Sequence, residues 1–169
     1  VRIVTSDKDA RQLIRPNVQL YHVRKNTFQD ASFVSEAWGI RPEQVIDFQA
    51  LVGDSTDNVP GVPLVGPKKA CALLEQFGTL EEVLAHPDQA PGKKLQENLV
   101  TYADQALLSR RLVTLKTDLP LTVDWDAQAV GPPDVHRLTH LFSELGFRDL
   151  PRQIESLAGN EDYAEEATT

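Results

Sequence analysis

The chain opens on a short β-rich run, Arg2-Ile3-Val4-Thr5, which gives way to the polar cluster Ser6-Asp7-Lys8-Asp9 and then to Ala10, Leu13 and Ile14 at helical spacing. Strand, polar loop, helix is the grammar of an α/β sheet, whose sites form at the carboxyl ends of its strands. The first run reads as a buried strand. Residues 18–23 alternate and predict a second strand, with a turn over 24–27. Asp30 or Ser32 can cap a helix that runs to Trp38 and stops at Gly39. Pro42 then opens a helix over 43–51 with Val45, Ile46, Phe48, Ala50 and Leu51 on its apolar face. From Gly53 the texture changes: residues 53–58 are polar, and 59–67 are rich in Pro and Gly. Helical spacing returns over 68–77, 80–84 and 93–108, with a short strand or extended piece over 112–115. Pro132-Pro133 precede a helix over 134–145, and a last helix is expected over 150–157. The pattern is the end of an α/β domain followed by a helical one.

Composition narrows the class without naming a chemistry. With 41% hydrophobic and 25% charged residues, the chain is neither wholly disordered nor collagen-like nor a coiled coil. No stretch approaches the roughly 18 consecutive apolar residues of a membrane span, and no secretory leader opens the chain, so a cytoplasmic setting is the expectation. The single cysteine, Cys71, rules out an internal disulfide. The chain holds no methionine and begins directly on a strand, so we expect a segment of a longer polypeptide. The net charge of −8 argues against nucleic acid only weakly, because half of it sits on Glu161, Asp162, Glu165 and Glu166 in a tail read as a linker.

Two constellations carry candidate chemistry. Asp7 and Asp9 are spaced i, i+2 at a strand end, and Asp54 and Asp57 are spaced i, i+3, as neighbours on one side of a helical turn. Clustered carboxylates are hard ligands suited to Mg²⁺ or Mn²⁺. Asp is equally the residue of turns and caps, so spacing alone leaves both roles open. The second constellation runs Gly61-Val62-Pro63-Leu64-Val65-Gly66-Pro67-Lys68-Lys69. A Gly-bearing loop before a helix can aim N–H groups at a phosphate, and two lysines at a helix start oppose the dipole unless an anion lies between them. A solvated helix start accounts for the lysines as well. His136 and His140, one helical turn apart, lack a third ligand for zinc and fit a solvated face; Cys71, Trp38 and Trp125 read as packing residues.

Taken together, Ser6-Asp7-Lys8-Asp9 after a strand, the string Gly53-Asp54-Ser55-Thr56-Asp57-Asn58-Val59-Pro60-Gly61-Val62, and Val65-Gly66 before a helix resemble the 5′→3′ exonuclease (flap endonuclease) domain of bacterial DNA polymerase I. The segments 112–121 and 141–148 resemble later parts of that family in the same order, so the resemblance runs to about residue 157. It implies a fold: the end of a Rossmann-like (PIN-like) nuclease sheet, then an all-helical SAM-like domain with a helix–hairpin–helix-type element. It implies that Asp7, Asp9, Asp54 and Asp57 are catalytic metal ligands for two Mg²⁺ (or Mn²⁺) ions in the intact domain. Gly61, Val62, Gly66, Lys68 and Lys69 are then DNA-binding, with K⁺ in the hairpin loop.

The implied partners are duplex and flap DNA, RNA-primed DNA and the polymerase part of the same polypeptide, with no membrane. Expected divisions are 1–57 (nuclease), 58–157 (helical DNA-binding) and 158–169 (acidic linker). Leu64 stands where the family carries glycine, and Pro67 where it carries an acid. The family's first half, with a further metal-binding Asp, a Glu-rich segment and a basic arch, has no counterpart here, so this chain alone is expected to be inactive. The alternatives are a stand-alone 5′ nuclease and a non-catalytic duplex DNA-binding module. Clustered acids discriminate against the latter, because a pure binder gains nothing from negative charge beside phosphate.

Overall fold

Ile3 and Leu20 sit opposite one another in a parallel pair of strands, β1 (Arg2–Val4) and β2 (Gln19–His22), in the computed structural model, which describes residues 1–131 and 133–158. A parallel pair cannot be closed by a hairpin. The chain leaving β1 therefore crosses over through a 3₁₀ turn, Asp9–Leu13, which leaves residues 6–9 at the carboxyl end of β1. β2 reverses through Val23–Lys25 and Asn26, the latter in the left-handed region (φ 47), into an antiparallel β3 (Thr27–Gln29). This third strand begins where only a turn was expected. β1 is not the buried strand that its composition predicts: Val4 is 63% exposed, and the sheet's buried residues are Leu20 on β2 and Gln29 on β3.

The helices start and stop for local reasons. Asp30 accepts a hydrogen bond from the Phe33 N–H and caps α1 (Ala31–Trp38), which Gly39 ends at φ 70. Pro42 opens a 3₁₀ turn, Pro42–Gln44, that runs into α2 (Val45–Val52). Gln44 acts as a staple: it accepts from the Arg41 N–H and donates to the carbonyls of Leu74 and Gly78, each at 2.9 Å. It thereby satisfies carbonyls at the end of α3 (Pro67–Phe77). α4 (Leu80–Ala85) follows. The single helix expected over 93–108 is two, α5 (Lys93–Thr101) and α6 (Ala103–Val113), broken at Tyr102. Leu95, Leu99, Ala106 and Val113 are buried on both sides of the break at spacings that keep one face. The apolar pattern therefore runs through it unmarked.

Residues 112–115 form no strand. The Gln12 side-chain amide stands in for a strand neighbour, donating to the Val113 carbonyl and accepting from the Leu115 N–H, both at 2.9 Å.

α2 is the centre of this part, packed on α3, α4 and α6. Val45, Ala50, Leu51, Leu73, Leu74, Leu80 and Leu99 are at most 1% exposed. At roughly 1.5–3 kcal/mol for a fully buried Leu or Val side chain, these contacts are what hold the unit together. Val1–Asp118 form one compact unit, so Asp57 and Asn58 lie inside it. A second unit begins at Leu119. There Asp134 caps α7 (Val135–Glu144) through the Arg137 N–H, and α7 packs on α8 (Leu150–Ala158) with Phe142 edge-on to Phe147 at 6.0 Å. Trp125, expected to pack, is 77% exposed. Pro132, and from residue 159 the expected acidic linker, lie outside the described residues. Among the described residues no helix is long and apolar enough to cross a membrane.

Candidate functional site

The loop from Gly53 to Gly61 is a closed ring rather than a helical turn. Asp54 and Val59 exchange both backbone hydrogen bonds at 2.8 Å, and the Val62 N–H donates to the Leu51 carbonyl at 2.8 Å. The two glycines make the base of the ring possible. A Cβ on Gly61 would lie 2.5 Å from the Gly53 nitrogen, and a Cβ on Gly53 would lie 2.6 Å from the Val59 oxygen. Both have positive φ (63 and 78), a region open to glycine at little cost. α6 pins the ring from below: Ser109 accepts from the Gly61 N–H at 3.2 Å, and Gln105 donates to the Gly61 carbonyl at 2.7 Å. Spacing suggested a helical surface for Asp54 and Asp57; instead the ring aims them.

Asp54 is buried, 6% exposed, and forms an ion pair with Lys8. Its Oδ1 accepts from the Thr56 N–H at 2.9 Å, and its Oδ2 has no hydrogen bond beyond the Lys8 ion pair. Burial pushes its pKa up, but the contact and charge of Lys8, with the Thr56 N–H and the proximity of Asp57, hold it below the usual carboxylate value. Asp57 shifts the other way. The neighbouring Asp54 carboxylate raises its pKa most, and partial desolvation and the charge of Asp9 add to this against the pull of Lys8. The Asp54–Asp57 pair thus behaves as two acids too close for both to ionise freely. Asp7, Asp9 and Asp57 line one open cavity of about 420 Å³ with Ser6, Lys8 and Thr56. Asp7 and Asp9 face it because the Asp9 N–H bonds the Asp7 carboxylate at 2.9 Å in a turn, not because a strand continues.

The two pairs of acids therefore meet around Lys8. Among the described residues no group of three His, Cys, Asp or Glu side chains could by itself hold a metal ion. The donors do fit a hard divalent cation in kind: all are carboxylate oxygens, one of them the buried Asp54 Oδ2, which the Lys8 ammonium alone meets, and among the described residues lining this cavity Lys8 is the one cation.

A second cleft, of about 510 Å³, joins this site to the start of α3: Lys8, Gln49 and Asp54 stand on it together with Trp38, Pro67 and Lys68. Leu64, in the hairpin before α3, has φ 70, so the backbone keeps the left-handed turn that a glycine would make, with a side chain 58% exposed. Lys69 folds back, its ammonium donating to the Leu64 carbonyl at 2.9 Å. Gly66, Pro67 and Lys68 are exposed, whereas Gly61 and Val62 are buried with their backbone groups engaged within the chain.

A family model described as the 5′-3′ exonuclease, C-terminal SAM fold, matches residues 40–136. The chain belongs to this 5′-3′ exonuclease family. It is 42% identical over 154 residues to DNA polymerase I of Rhizobium leguminosarum, covering 91% of this chain and 15% of that protein. It is 37% identical over 166 residues to DNA polymerase I of Bacillus caldotenax, covering 96% of this chain and 19% of that protein. The chain thus spans less than a fifth of the length of these relatives. Its fold resembles T5 5′-exonuclease, solved with bound divalent metal ions (zinc), at TM-score 0.62 and 22% identity, covering 67% of this chain and 42% of that one. It also resembles the catalytic core of Rad2 in complex with DNA substrate, at TM-score 0.53 and 16% identity, covering 89% of this chain and 54% of that one. The expected architecture, a small α/β sheet and then a SAM-like helical region, is the architecture of this exonuclease family.

Sequence reading passed over two residues of the site. Lys8 was legible as the one cation between two candidate ligands. Gln49, whose amide donates to the Asp9 carboxylate across 40 residues of sequence, left no signal, because an isolated Gln on a helix has no motif.

Proposed function

We propose that this exonuclease-family chain is the carboxyl-terminal part of a metal-dependent 5′→3′ exonuclease/flap endonuclease. It would hydrolyse phosphodiesters of flap DNA and RNA-primed DNA in primer removal and repair, joined to a polymerase in the same polypeptide and working in the cytoplasm. The observation that carries this reading is the cleft of about 510 Å³ with Asp54 and Lys8 on the same lining as Pro67 and Lys68. A carboxylate site and a phosphate-binding helix start in one cleft suit a duplex whose backbone is held while one of its phosphodiesters lies at the acids.

In the intact domain, Asp7, Asp9, Asp54 and Asp57 would help hold two Mg²⁺ or Mn²⁺ ions. When bound, such ions lower the pKa of an attacking water and stabilise charge on the phosphodiester. Lys8 balances the acids until then, and Lys68 with Gly66 and the N-terminus of α3 holds phosphate. No side chain need act as nucleophile. K⁺ in the hairpin is left out of this scheme: the carbonyls of Val62, Pro63 and Leu64 accept from the Val65 N–H, Asn98 and Lys69, the last already a cation. Functionally we assign 1–57 to the acid site, 58–157 to the grip on duplex, and 158–169 to a linker.

A second reading, a duplex DNA-binding module without catalysis, is favoured for the chain by itself, because no three of its described ligand-type side chains suffice for a metal. The test is a flap-DNA titration and a Mg²⁺-dependent cleavage assay, on the full-length polypeptide and on this chain alone. We expect Asp54→Ala and Asp57→Ala to abolish cleavage by the full-length protein while leaving binding intact. We expect this chain alone to bind without cutting. Cleavage by both variants at the wild-type rate would refute the nuclease site.

A further inference from the structure

Gln49 is 3% exposed on α2, the most tightly enclosed helix of the first unit, yet its Oε1 is buried without a hydrogen-bond partner. Its Nε2 donates to Asp9 Oδ1. An ionised Asp accepts only, so the amide is locked with its nitrogen toward Asp9 and its oxygen stranded. A leucine would fill this site without stranding an acceptor, so for folding alone glutamine is the poorer choice. Trp38 beside it has Phe48 stacked at 5.0 Å and the Arg11 guanidinium at 4.4 Å from its ring, and is not free to stack a ligand. Gln49 lines the cleft that reaches Asp54, Lys8 and Lys68.

We propose that Gln49 is a positioning residue for the acid site: it holds one oxygen of Asp9, so that the other faces the cavity shared with Asp7 and Asp57. This deepens the nuclease reading above and rests on it for what the aligned carboxylate does. Residues that hydrogen-bond a metal's carboxylate ligand typically change metal affinity 10–100-fold when lost.

The test uses the full-length polypeptide with Gln49→Leu and with Gln49→Glu, which keeps the volume but, when ionised, cannot donate. Mn²⁺ binding is followed by electron paramagnetic resonance and melting by calorimetry. The side-chain amide of Gln49 is read by NMR in this chain, with and without Asp9→Ala. We expect both Gln49 variants to bind Mn²⁺ at least about tenfold more weakly, with Gln49→Leu melting no lower than wild type. A merely structural residue would move the melting temperature instead. The Gln49 amide resonances should shift in Asp9→Ala. Unchanged Mn²⁺ affinity in Gln49→Leu, or amide resonances indifferent to Asp9→Ala, would overturn the proposal. If the wild type binds no Mn²⁺, the metal-dependent nuclease reading fails, and the amide resonances alone decide whether Gln49 holds Asp9.

Discussion

Gly61→Ala tests whether the ring that carries Asp54 and Asp57 is closed by backbone-to-backbone contact. The added Cβ would meet the Gly53 nitrogen at 2.5 Å, the Val52 carbonyl carbon at 2.6 Å and its oxygen at 2.7 Å, all backbone atoms that no rotamer change can move. At φ 63 the residue also sits in the left-handed region, where a non-glycine costs roughly 1–2 kcal/mol. Forcing the surrounding chain apart adds about 1–3 kcal/mol, and the stiffer unfolded chain returns about 0.4–1 kcal/mol. The net expectation is a loss of roughly 1.5–4 kcal/mol, about 6–16 °C in melting temperature for a unit of this size. The control is Gly66→Ala, where φ is −94 and an added Cβ would meet nothing within 4 Å; a change within about 0.5 kcal/mol is expected there. Urea unfolding followed by far-ultraviolet circular dichroism and by Trp38 fluorescence measures both. Gly53→Ala should cost a similar amount, and the double variant less than the sum, because each Cβ displaces the same strands of backbone. A Gly61→Ala protein within about 0.5 kcal/mol of wild type at an unchanged denaturant slope would refute the closed ring.

The acids should respond to pH with opposite signs. Asp54 has a lowered pKa in the fold, so its contribution is present above its unfolded value and lost as pH falls through the folded one; Asp54→Asn should destabilise at pH 7 and matter little in strong acid, measured by urea unfolding at both. Asp57 has a raised pKa, so its ionisation works against folding at neutral pH, and Asp57→Asn should stabilise the metal-free chain at pH 7. Asp47 is raised mainly by burial, although it accepts from the Leu80 N–H at 3.0 Å. Asp47→Asn should keep an acceptor there and flatten the decline of stability as pH rises above its unfolded value, checked by calorimetry from pH 3 to 7. In duplex-binding titrations, Lys68→Ala should flatten the salt dependence by about one unit; an unchanged slope would remove Lys68 from the phosphate contact.

Much of the fold was legible because local physics fixes it. Asp30 and Gly39 bound α1, Pro42 precedes α2, and Gly78 ends α3, each by cap or turn chemistry that acts within a few residues. The string from Gly53 to Val62 was equally readable as a family signature, though not what its two glycines do, since their contact exists only once the ring closes. Where pattern and chain disagree, the missing information is tertiary. The break at Tyr102 is silent because buried positions keep one face across it. The extended segment after Val113 finds its hydrogen bonds on Gln12, about a hundred positions earlier, rather than on a strand.

The candidate site divides the same way. Sequence alone supplied the four carboxylates and the exposed lysine at the start of α3, because residue type and spacing are local properties. Only the packed structure decided that Lys8 neutralises Asp54, that Asp57 takes the raised pKa, that Lys69 turns back to Leu64, and that Gln49 reaches Asp9. Charge–charge energies and hydrogen bonds depend on distances between residues far apart in the chain, and those distances exist only after α2, the Gly53–Gly61 ring and the β1 crossover have come together.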